Sequence, residues 1–210
     1  MSENRKVISK KRETKIEWRI IMEKSKNSKI DVRSLIMIPM MSAIIAVCSW
    51  ISIPMTVPFT LQIFGIYCAL GMLGGKNGTI SVVVYIMLGL VGVPVFAGFS
   101  SGISTILGPT GGYILGFAGS ALVYWLITKI FGSKIYIKAI AMLIGLLVCY
   151  AFGTIWFIIV YGKNNGSVSI ATALSWCVIP YIIPDLVKIF LALVISDRVM
   201  HYMPSVAAKQ

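Results

Sequence analysis

From residue 35 to its end, the chain carries only eight basic and two acidic side chains in 176 residues. That scarcity of charge limits what it can fold into more than any other feature. The apolar segments between the charges lie at 34–53, 61–74, 79–95, 111–128, 139–161 and 170–195. Most reach or approach the ~20 residues a helix needs to cross a hydrocarbon core. Charged residues make up 12% of the chain and hydrophobic residues 58%, where soluble domains carry roughly 25% charged residues. The mean hydropathy is +0.89. A disordered chain, a collagen-like fibre and a disulfide-stapled secreted domain are excluded. The expected fold class is an all-α membrane protein. Its six-transmembrane-helix bundle occupies 34–199, with a basic extension over 1–33 and a short tail over 200–210.

The net charge of +12 belongs mainly to the extension, since residues 1–34 hold 11 of the 19 Lys and Arg. It is therefore not read as a nucleic-acid footprint. The extension is too long in its basic part, and lacks a small-residue cleavage site, for a signal peptide. A cytoplasmic segment lying on anionic lipid headgroups is expected instead. With the N-terminus inside, 17 basic residues fall on the inner side of the membrane. Lys163 alone falls outside, and Lys188 lies within the last span. The positive-inside bias then gives an N-in, C-in topology.

Cys48, Cys68, Cys149 and Cys177 stand singly in apolar stretches, as packing residues do. His201 is the only histidine, so a His-based metal centre or a Ser-His-Asp triad in the membrane body is excluded by inventory. The run GPTGG at 108–112 lacks the Lys of a Walker A loop, so no ATP hydrolysis is expected. Thr110 is placed as the N-cap of the fourth span. Small residues recur at four-residue spacing at Ser42/Ala46, Gly71/Gly75 and Gly112/Gly116/Ser120. Such stripes allow close helix packing within the bundle or docking of another membrane protein.

Asp185 and Lys188 are the exceptions inside the apolar region. Their i, i+3 spacing puts them on one helical face. An ionisable group at membrane depth costs at least ~2.5–3.5 kcal/mol, and such groups line cavities or substrate paths; the alternative is a self-neutralising pair that only locks the helix. Pro180 and Pro184 add the expectation of a broken or newly started helix that frees backbone groups toward a cavity. A helix beginning near Pro180 places Asp185 in the outer half of the bilayer. The uncharged segments PMTVPFTLQ and FAGFSSGISTILGPTGG flank the same side and suit caps over a pocket, while ordinary turn chemistry explains each of them alone about as well.

The segments VPFTLQ (57–62), LGLVGVPVFAGFSSG (88–102), GPTGGYILGF (108–117) and IPYIIPDLVKIFLA (179–192) together resemble the BioY family of biotin transporters. These are the substrate-binding S components of energy-coupling factor (ECF) transporters. The resemblance covers roughly residues 35 to 195. It implies a six-helix S component in the bacterial cell membrane, with an outward biotin pocket. No cofactor and no enzymatic activity follow from it. ATP would be used only by partners, namely a transmembrane coupling protein and two ABC-type ATPases.

Residue by residue, the resemblance implies that Asp185 accepts hydrogen bonds from the ureido N–H groups of biotin. Lys188 matches the family's basic position and serves either the ligand or Asp185. Ser100 is placed as a ureido partner, Phe96, Tyr113 and Tyr85 as apolar walls, and Gln62 as a cap. Ser42, Ala43 and Ala46 on the first span match the docking stretch for the coupling protein. The spacing departs from Ala-x-x-x-Ala, because Val47 stands four residues after Ala43. The competing readings are an S component for another vitamin and a stand-alone ion-coupled carrier titrating on Asp185. An intramembrane enzyme is disfavoured, since one membrane carboxylate leaves too few groups for acid–base work.

Overall fold

The structure, a computed structural model, describes residues 32–55, 57–166 and 168–202. Nearly all of the basic extension, and the tail beyond 202, lie outside the described residues. Seven α-helices account for most of the rest: α1 (Val32–Trp50), α2 (Gln62–Val91), α3 (Gly102–Leu107), α4 (Gly111–Phe131), α5 (Ile135–Asn165), α6 (Ile170–Cys177) and α7 (Ile179–Tyr202). Two short strands, β1 (Ser52–Ile53) and β2 (Phe59–Thr60), pair antiparallel between α1 and α2. Counting α6 and α7 as one run, five helical segments among the described residues are long and apolar enough to cross a membrane.

Large apolar side chains point outward along these helices, among them Leu147, Ile155, Ile183 and Phe190. Facing lipid, they need no partner. The interior is distinguished by small and hydroxylic residues rather than by greater hydrophobicity, as expected where lipid and core are equally apolar. Ser42 shows the pattern: its Oγ donates to the carbonyls of Ile38 and Ser81, tying α1 to α2. Tyr67 on α2 bonds the Ser120 hydroxyl of α4 and the Met142 carbonyl of α5. Helices α4 and α5 pack along their lengths, and α2 packs against both α4 and α7.

Several boundaries differ from the sequence expectation: the fourth and fifth spans run on to Phe131 and over Ile135–Asn165, and the last reaches Tyr202. The first span ends at Trp50 rather than residue 53, and Ser52 and Ile53 pair with Thr60 and Phe59. Pro54 explains this, because it biases Ile53 away from helical geometry. The turn expected over 74–78 shrinks to Gly74, the one non-helical residue inside α2 (φ 78°, ψ 172°). A Cβ on Gly78 would lie 2.7 Å from the Leu70 Cα. In an uninterrupted helix, residues eight apart are about 12 Å apart, so the chain folds back on itself at Gly74.

The second half of α2 stops at Val91, not residue 95. Gly92 adopts a left-handed cap (φ 106°) and returns its N–H to the Gly89 and Leu88 carbonyls, a glycine C-cap. The last apolar region is divided at Val178 into α6 and α7. Thr110 does occupy the position before α4, but its side chain makes no capping hydrogen bond.

Candidate functional site

Helix α7 begins at Ile179, so Asp185 stands about 9 Å along it at 1.5 Å per residue. Pro184, just before it, has no N–H to return to the residue 180 carbonyl, which loosens the first turns of the helix. Asp185 is 1% exposed and Lys188 5%. The Lys188 Nζ lies 2.7 Å from Asp185 Oδ1. The Tyr150 hydroxyl of α5 donates to the other oxygen, Oδ2, at 2.6 Å. Each carboxylate oxygen thus has one donor among the described residues. A carboxylate offers about four acceptor positions, so the group retains capacity for further donors.

Lys188 is more fully committed. Its ammonium also donates to the Thr60 carbonyl at 2.8 Å and sits 3.9 Å from the centroid of the Phe59 ring. The lysine therefore binds the β1–β2 hairpin to α7 as well as neutralising Asp185. Tyr181 adds a second tie, donating from its hydroxyl to the Val57 carbonyl and stacking on Phe59 at 6.1 Å between centroids.

Beside the pair lies a cavity of about 150 Å³, reached by residues from α2, α4, α5, α6, α7 and the uncharged segments that join α1 to α2 and α2 to α4. Asp185, Lys188, Gln62, Phe96, Ser100 and Tyr113, all expected at the site from sequence, line it. Tyr85 does not. It stands behind the wall: its hydroxyl accepts from Gln62 Nε2 at 2.9 Å and donates to the Val95 carbonyl at 3.1 Å. Its ring meets Phe96 edge-on at 5.7 Å. Its position is a support for Gln62 and Phe96, not a surface of the cavity.

Close glycine contacts seat the two other rings. A Cβ at Gly89 would come within 2.0 Å of the Phe96 ring, and one at Gly153 within 2.3 Å of the Tyr113 ring. The Tyr113 hydroxyl pairs with Thr154 Oγ1 at 2.9 Å. Ser100 Oγ donates to the Ala97 carbonyl at 2.8 Å, which leaves its lone pairs to accept. The loop after α2 is anchored from α1: Trp50 Nε1 donates to the Pro94 carbonyl at 2.9 Å, and Ser49 Oγ to that of Val95.

Sequence reasoning missed Tyr150, Tyr181 and Thr110 among the lining residues. A tyrosine within an apolar span was the available signal for Tyr150, but nothing in the sequence pointed it at Asp185. The stretch expected to dock a partner divides between two faces. Ser42 and Ala46 are buried within this chain, and Ala43 is exposed on the opposite side. Among the described residues, no three His, Cys, Asp or Glu side chains converge as a metal site.

A mostly apolar cavity with one buried carboxylate, hydroxyl and amide groups and a neutralising lysine suits a small polar-headed ligand. The comparisons agree with that chemistry. The chain is 40% identical over 142 residues to a probable biotin transporter BioY of Pyrococcus horikoshii, covering 68% of this chain and 80% of that one. It is 38% identical over 168 residues to the biotin transporter BioY of Thermotoga maritima, covering 80% and 95%. Its fold matches a crystal structure of the S component for biotin from an ECF-type ABC transporter. The TM-score is 0.73 at 28% identity, over 83% of this chain and 94% of that one. The BioY family model matches residues 22–205; the chain belongs to the BioY family.

Proposed function

We propose that this chain is the biotin-binding S component of an ECF-type uptake transporter. The observation that carries the reading is the Asp185 carboxylate. It is buried, held by one donor on each oxygen, and placed on a cavity with acceptor capacity to spare. A cyclic urea presents N–H donors that match such an acceptor. The apolar walls at Phe96 and Tyr113 suit a thiophane ring. Gln62 and Ser100 supply the remaining polar contacts. A rigid bicyclic ligand loses little conformational entropy on binding.

The reversal at Gly74 supports counting two spans within α2, hence six spans in a bacterial plasma membrane. The Lys and Arg asymmetry supports an N-in, C-in orientation with the Asp185 cavity opening outward. The chain is a binding and translocating subunit, not an enzyme. A coupling protein and two ABC-type ATPases supply the energy, and Ala43 with its exposed neighbours on α1 forms part of the docking face. Competition of labelled biotin against a panel of other vitamins tests the assignment. Displacement by unlabelled biotin alone supports it, whereas preferential displacement by a different vitamin replaces it.

A further inference from the structure

We propose that a second cleft, at the far end of α4 from the Asp185 cavity, binds the phosphate headgroup of an anionic phospholipid. Tyr113 and Thr128, one from each cavity, are fifteen residues apart on α4, or about 22 Å at the helical rise. The cleft has a volume of about 350 Å³ and forms where α2 folds back at Gly74 against the end of α4 and the start of α5. Gly75 approaches so closely that a Cβ there would meet the Trp125 Cα at 2.7 Å.

Three lysines line this cleft, Lys76, Lys129 and Lys138. The described residues contain two carboxylates, Asp185 and Asp197. The first belongs to the other cavity, and the second does not line this one. Lys129 lies in the last turn of α4 and offsets part of that helix's carbonyl end. Lys138 also reaches the Gly71 carbonyl at 3.5 Å. A net positive charge remains.

The second observation is Tyr124, which is 1% exposed and lines the same cleft. Its buried hydroxyl has no hydrogen-bond partner among the described residues. A buried hydroxyl without a partner carries an uncompensated desolvation cost, which a phosphate oxygen reaching it from the cleft would relieve. Basic pockets between membrane helices recognise anionic headgroups in this way.

The surroundings favour a lipid over free phosphate. Leu122, Leu126 and Ile130 follow one another at four-residue spacing on α4 and are 52%, 59% and 64% exposed. They form an apolar stripe beside Trp125 and Lys129, along which acyl chains can lie while the headgroup enters the cleft.

The test uses the full chain purified in a non-ionic detergent, with phosphatidylglycerol, phosphatidylcholine and inorganic phosphate as separate probes and native mass spectrometry as readout. Phosphatidylglycerol should be retained in preference to phosphatidylcholine. Lys76→Gln and Lys129→Gln, both at exposed positions, should each weaken that retention about fivefold. Tyr124→Phe should weaken it further, while labelled-biotin binding by the lysine variants stays unchanged. Equal retention of the two lipids, or retention indifferent to the lysines, overturns the proposal. Lysine-dependent binding of inorganic phosphate without a lipid preference overturns the lipid assignment.

Discussion

The Tyr150 hydroxyl lies 2.6 Å from Asp185 Oδ2, on a different helix and 35 residues away in sequence. This contact fixes the direction in which the carboxylate presents its free lone pairs. Hydrogen bonds to charged groups contribute about 1.5–3 kcal/mol. Replacing Tyr150 by Phe keeps the ring and removes the donor. Biotin affinity should fall about 10- to 100-fold by isothermal titration. An unchanged affinity would show that Asp185 is positioned by Lys188 alone.

Asp185 and Lys188 should behave as a coupled unit. Removing one member of a buried ion pair costs about 3–5 kcal/mol, because the other is left uncompensated. Asp185→Asn and Lys188→Met should each lower the thermal unfolding midpoint in detergent. The double variant should lose clearly less than the sum, by about 0.5–3 kcal/mol of coupling. Additive losses would mean that the 2.7 Å contact carries no energy of its own.

Gly74 has a backbone conformation, φ 78° and ψ 172°, that only glycine adopts readily, at a cost of about 1–3 kcal/mol for other residues. Gly74→Ala should lower the unfolding midpoint while leaving biotin affinity close to that of the parent, since Gly74 does not line the Asp185 cavity. A stability equal to the parent's would remove the reversal as a constraint on the fold.

The two-span reading of α2 makes a topological prediction. The four native cysteines are buried, so a single added cysteine reports its own accessibility. A membrane-impermeant maleimide applied to intact cells should label Lys163→Cys. It should label Lys76→Cys only after permeabilisation. The reverse pattern would invert the orientation.

How much of this was legible in the sequence follows from the range of each interaction. Asp185 and Lys188 could be read together because they are one helical turn apart in a region otherwise without charge. The helical segments could be read because lipid demands length and apolarity, which are local properties. The termini were harder: Pro54 and Gly92 act through backbone geometry, and Gly74 concentrates in one residue a turn that GGKNG spread over five. Tyr150 was not legible, because its partner is brought near by the packing of α5 against α7.

The place of Tyr85 behind the wall is not legible in the sequence, because aromatic character does not reveal which side of a wall a ring occupies. For Ser42 and Ala46, the four-residue spacing was real, but spacing alone does not distinguish a face turned inward from one turned toward a partner. Burial and the Ser42 bond to the Ser81 carbonyl make that distinction.

The central claim is that the Asp185 cavity binds biotin, and equilibrium binding of labelled biotin to the purified chain tests it most directly. The account predicts saturable, submicromolar binding by the parent that is lost or strongly weakened in Asp185→Asn. No saturable binding at micromolar biotin, or binding of equal strength in Asp185→Asn, would contradict it.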